Sequence, residues 1–117
     1  MAVKKKAKPA AGGPPKIFEA DLVPGPSGGV LKGKEIDFNL AVAWRKAGEN
    51  IVICGDSIKE NRQLASTIEA AVGPWERQGP HDKRAGPLSL PHFQQKDRGA
   101  KGHSFYETEN RRAKAQP

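Results

Sequence analysis

The chain is short of cross-links. It carries one cysteine, Cys54, among 117 residues, so no intramolecular disulfide can form. Flanked by Ile51, Val52 and Ile53, this thiol reads as a buried strand residue. Long apolar runs are also missing, and none approaches the ~20 residues that cross a bilayer. No membrane insertion is expected. The leading "KKKAK" has the charge of a secretory leader, yet no apolar segment follows it, and no secretory cleavage is expected. Aromatic residues make up only 6% of the chain, while Gly and Pro supply 13 and 10 residues, many within the first thirty. The folded part is therefore expected to span roughly 80 to 90 residues, near the lower limit for a self-sufficient core, which excludes a large substrate-enclosing cavity. Acidic residues are the last shortage: 13 Asp and Glu against 20 Lys and Arg leave a formal charge of +7. A polyanionic partner fits that balance, nucleic acid first, with an acidic protein or an anionic membrane surface behind it.

What is present has a clear order. Residues 1–34 read as a basic, Pro/Gly-rich arm, disordered or loosely ordered, in which Ile17 to Leu22 would add at most a short edge strand. Residues 35–110 read as one domain and 111–117 as a basic tail. Ile36, Leu40, Ala43, Trp44 and Ala47 recur at helical spacing, with Gly48 placed to end the helix. "NIVIC" then reads as a buried strand. Ser57 and Glu60 have capping-box spacing ahead of a second helix, with Leu64, Ala65, Ile68, Ala71 and Val72 on its apolar face and Glu69 on its polar one. Beyond Pro74 the helical period is lost, and "PLSLPHFQ" and "GHSFYET" are the expected strands, with a further one around Trp75 to Gln78. Pro91 directs the first of these toward a sheet edge or bulge. The expected fold is α+β: two N-terminal helices, with a short strand between them, packed on a small, mostly antiparallel sheet formed by the C-terminal third.

The chemistry-bearing residues gather in that last third. RNA cleavage without a metal needs a base for the 2′-hydroxyl proton, an acid for the leaving 5′-oxygen, and cations on the phosphorane. His92, His103 and Glu107 are the candidate catalytic residues, since imidazole serves either proton role and a carboxylate can act as base. His81, Lys83, Arg84, Gln94, Tyr106, Arg111 and Arg112 are the candidate nucleic-acid contacts. Strand alternation lets His103 and Glu107 share a face, but Phe105 then lies between them on that face. The histidines at 81, 92 and 103 are evenly spaced, with Asp82 and Glu107 as carboxylates. They lack the compact spacing of a zinc centre, so no metal or other cofactor is assigned. "GPSGGVLKGK" lacks the Gly-Lys-Ser/Thr ending of a phosphate loop. Two non-enzymatic alternatives stay open: a nucleic-acid-binding protein stacking bases on Trp75, Phe93 or Tyr106, and an accessory factor for an acidic partner.

From "AWRKAGENIVICGDSIKENRQLASTIEAAVG" through "LPHFQQKDRGAKGHSFYETENRRAK", roughly residues 40–115, the organisation resembles the C-terminal toxin modules of bacterial polymorphic toxins of the Rhs and type VI secretion effector kind. Many of these are similar to metal-independent ribonucleases of the barnase, EndoU, colicin and RelE-like group. The resemblance implies an intoxicating nuclease acting on RNA rather than DNA, paired with an acidic immunity protein. On it His92 or His103 matches the general acid, Glu107 the general base, and Lys83, Arg84 or Arg111 the phosphate clamp. The implied location is the cytoplasm of the producing or target bacterial cell, reached through a separate secretion system or carrier domain if the protein is secreted.

Overall fold

The apolar run at residues 51–54 lies in the middle of the molecule. The computed structural model describes residues 14–23, 29–78, 90–96, 101–109 and 111–115. In chain order these form β1 (Lys16–Val23), β2 (Gly29–Ile36), α1 (Phe38–Lys46), β3 (Ile51–Cys54), α2 (Ile58–Val72), β4 (Trp75–Gln78), β5 (His92–Gln95), β6 (Ser104–Tyr106) and β7 (Lys114–Ala115). The strands make one sheet of seven in the order β4-β5-β6-β3-β1-β2-β7. Pairings are antiparallel except β3 with β6 and β2 with β7. Ile51, Val52 and Ile53 are all fully buried, as expected of a β-branched run covered on both sides.

Register divides the core into two faces. Ile53 lies between Ile17 and Tyr106, and Val52 lies between Phe18 and Phe105. On the first face Ile17, Ile53, Phe93 and Tyr106 pack under Ala41, Ala65 and Ile68 of the helices. On the second face Val30, Val52, Leu90 and Phe105 form a separate cluster that contains no helical residue.

Local signals set the helix ends. Asp37 caps α1 by accepting from the Leu40 N–H at 2.8 Å, Ser57 caps α2 by accepting from the Glu60 N–H at 3.2 Å, and Gly48 leaves α1 with φ of 86°. The apolar spacing of α1, however, misplaces its buried face. Leu40 is 47% exposed, whereas Ala41 and Arg45 have no exposure at all. In α2 the apolar position Ala71 is exposed, and Asn61 and Glu69 are buried beside Ala65 and Ile68. Arg45 and Glu69 turn inward as an ion pair at 2.6 Å, and Asn61 turns inward to donate to the carbonyls of Gly55 at 2.9 Å and Glu107 at 3.1 Å.

The expected arrangement of elements needs correction. The helices are not N-terminal and the sheet is not the work of the C-terminal third. The sheet starts with β1 and β2, inside the stretch read as an arm, and β3 at its middle falls between the helices in sequence. β1 is not an edge strand, since β2 and β7 lie outside it, and β7 comes from the stretch read as a tail. The reason is non-local: "KIFEADLV" and "GVLKGKEI" mix charged and apolar groups, and become strands by pairing with each other and with β3. Pro91 immediately precedes β5, where its carbonyl accepts from the Tyr106 N–H at 3.1 Å, a strand-start position that does not require Pro to donate. Residues 1–13 of the expected arm lie outside the described residues.

Candidate functional site

Antiparallel pairing of β5 with β6 sets His92 opposite Phe105 on the helix-free face. His103, one pleat before Phe105, reaches the same spot. The His92 and His103 ring centroids are 4.3 Å apart at 62°, and both rings contact Phe105, at 5.1 and 5.3 Å. His92 is fully buried while His103 is half-buried. Nδ1 of His92 lies 3.4 Å from the Leu90 carbonyl, a group that only accepts, which favours the tautomer with its proton on Nδ1. The pair is thus a deep imidazole behind a shallower one, on an aromatic floor.

His103 is held through its backbone. Its N–H donates to Asn50 Oδ1 at 2.8 Å, and its carbonyl accepts from the Ile51 N–H at 3.0 Å. Just before it, the Arg45 guanidinium donates to the carbonyls of Lys101 at 2.5 Å and Gly102 at 3.2 Å, as well as Glu49 at 2.9 Å. Just after it, the Ser104 hydroxyl donates to Glu69 at 2.5 Å, and Glu69 also accepts from Gln95 Nε2 at 2.9 Å. One buried ion pair therefore fixes the residues on both sides of His103. Gly102 has φ of 84°, and an added Cβ would meet Arg45 Nη1 at 2.8 Å and the Gly48 carbonyl at 2.8 Å. Arg45 and Glu69 escape sequence reading because they are far apart in the chain and sit outside any apolar stripe.

Glu107 shares the face of His103 but not its neighbourhood. Phe105 separates them, and the two pleats between their Cα atoms amount to roughly 13 Å. The carboxylate is buried, accepting from the Gly55 N–H at 3.3 Å, the Ala113 N–H at 2.9 Å and Arg112 Nη1 at 3.4 Å. It ties the approach to β7 onto the end of β3. Beside it the Cys54 thiol is pushed up to about 12, by burial first and then by the Glu107 charge. Such a thiol is a poor nucleophile at neutral pH. These groups line a pocket of about 320 Å³ with Phe18, Lys32 and Arg112.

The other candidates scatter. Tyr106 points into the helix-side core, stacked on Phe93 at 5.5 Å, and burial raises its phenol. Gln94 donates to Glu76 at 2.9 Å. Arg112 is exposed, donates to the Gly55 carbonyl at 3.1 Å and lies 3.9 Å from Asp56. Arg111 is half-buried and its N–H donates to Thr108 Oγ1 at 3.1 Å. His81, Asp82, Lys83 and Arg84 lie outside the described residues. Among the described residues no group of three or more His, Cys, Asp or Glu side chains is arranged to hold a metal ion, and no helix is long and apolar enough to cross a membrane. No protein-family model, no curated protein and no solved structure matches this chain.

Proposed function

We propose that the protein is a metal-independent nuclease with RNA as its substrate, acting as a bacterial antagonistic toxin domain countered by an acidic immunity protein. The observation that carries the nuclease reading is the ring contact between His92 and His103 at 4.3 Å. Two imidazoles this close bring two groups capable of proton transfer into a single place. Cleavage through the 2′-hydroxyl needs a proton taken and a proton given. His103, the shallower ring, meets the substrate, takes the 2′-hydroxyl proton and returns a proton to the leaving 5′-oxygen; His92, behind it, acts as a positioning residue through the ring contact. Glu107, engaged by two backbone N–H groups and Arg112, serves in this reading as an anchor and not as the base. The net charge of +7 supplies attraction for the polyanion. The toxin context is supported by the basic charge balance of the sequence alone.

One observation favours a second reading. His92 has no exposed surface, which suits a protein that binds nucleic acid without cutting it. Labelled RNA and DNA incubated with the protein, with and without EDTA, separate the two. EDTA-resistant cleavage of RNA, leaving 2′,3′-cyclic phosphate ends and falling about 100-fold or more in a folded His103→Ala variant, is the expected result. Intact polymers at enzyme excess would leave the binding reading, and EDTA-sensitive cutting would overturn the metal-free mechanism.

A further inference from the structure

A second surface, on the opposite face of the sheet from the histidines, has the composition of a ligand groove. It lies between α2 and the edge strand β4, with a volume of about 550 Å³, and its lining includes Lys59, Arg62, Trp75, Arg77 and Phe93. That volume is within the range of small-ligand sites, about 300–1,000 Å³. The local structure explains the lining. Lys59, Arg62 and Ser66 recur at helical spacing along one side of α2, and strand alternation turns Trp75 and Arg77 to that side while Glu76 turns away to Gln94.

Three features distinguish this groove from a merely charged surface. None of its lining residues is acidic, and among the described residues no ion pair engages Lys59, Arg62 or Arg77. Its walls include a large aromatic that the fold leaves 38% exposed, Trp75, steadied edge-on against Phe93 at 5.1 Å. Arg62 and Arg77, from different elements, both line the groove, so their charges converge. An indole face among converging cations recognises a planar base joined to a phosphate.

We propose that this groove binds single-stranded nucleic acid, one base stacking on Trp75 with flanking phosphates at Lys59, Arg62 and Arg77. The inference rests on the nucleic-acid reading of the protein but not on cleavage. It gives the substrate strand a hold on the face away from the His92–His103 pair, reached around the β4 edge.

The test is equilibrium binding of a labelled 2′-O-methyl oligouridine, which lacks the hydroxyl a cyclising nuclease needs, to the full chain across a salt series. Arg62→Gln/Arg77→Gln, both at exposed side chains, should weaken binding and flatten the slope of log affinity against log salt by about 1.4. Trp75→Ala should cost roughly 5- to 150-fold, with Trp75→Phe retaining most of the affinity. A control removing two exposed charges elsewhere, Lys34→Gln/Lys46→Gln, should do much less. Equal losses in groove and control variants would overturn the groove, as would poly-glutamate competing equally well in the parent and the Trp75→Ala protein, which would assign the surface to an acidic polypeptide. Parent protein that cuts RNA while the groove variants bind and cut normally would sink the groove and spare the nuclease. Groove-dependent binding by a protein that never cuts would do the reverse.

Discussion

Two buried polar clusters sit on opposite faces of one sheet, and they are built differently. Around Glu69, on the helix side, each carboxylate oxygen has a donor and the Arg45 guanidinium is shared among a carboxylate and three carbonyls. Around His92 and His103 the contacts are ring against ring, with Phe105 as floor. The first is a closed network with no spare valence for a ligand. In the second, His103 is half-buried with its backbone clamped. Burial of polar groups is common to both, so burial does not mark a site; the difference lies in what the groups touch, charge-assisted hydrogen bonds in one and aromatic rings in the other.

Breaking the closed network should have the largest effect. Arg45→Met strands a buried carboxylate and three carbonyls, and should cost about 3–5 kcal/mol in denaturant unfolding, with His103 losing its fixed approach. If the loss stays under about 1 kcal/mol, the ion pair is not the clamp described. Gly102→Ala comes next: a left-handed φ of 84° with a clash against Arg45 should cost at least about 1–3 kcal/mol from the backbone alone, read as a lowered Tm. The histidines should then separate. His92→Ala removes a fully buried ring and should cost about 2 kcal/mol, whereas His103→Ala should leave Tm close to that of the parent. Equal Tm for both variants would contradict the deep-and-shallow arrangement.

The smallest effect concerns Cys54. Its neutral form is favoured in the fold, with the thiol raised from 9.0 to about 12, so stability is unaffected below about pH 9 and declines as pH rises from there toward 12. At pH 8 iodoacetamide should modify native protein slowly and urea-unfolded protein fast. Rapid native alkylation would show that burial and Glu107 do not protect the thiol.

Much that is local was legible in the chain itself. The β-branched run at residues 51–53, the Asn50 and Gly55 that bound it, the Ser57–Glu60 cap and the Gly48 stop each act within a few residues. Alternation in "GHSFYET" likewise placed His103, Phe105 and Glu107 on one face, with Phe105 between. The charge balance made a polyanion the first partner to consider.

Tertiary structure alone decided the rest. Whether "KIFEADLV" is an arm or an inner strand depends on β3 being available to pair with it, and no local preference encodes that. Arg45 and Glu69 look like solvated helix charges until α1 and α2 dock, since a buried charge is tolerable only beside its partner. The contact of His92 with His103 exists because β5 and β6 pair in one register. Alternation assigns each residue a face of its own strand, whereas the register between strands determines which side chains meet.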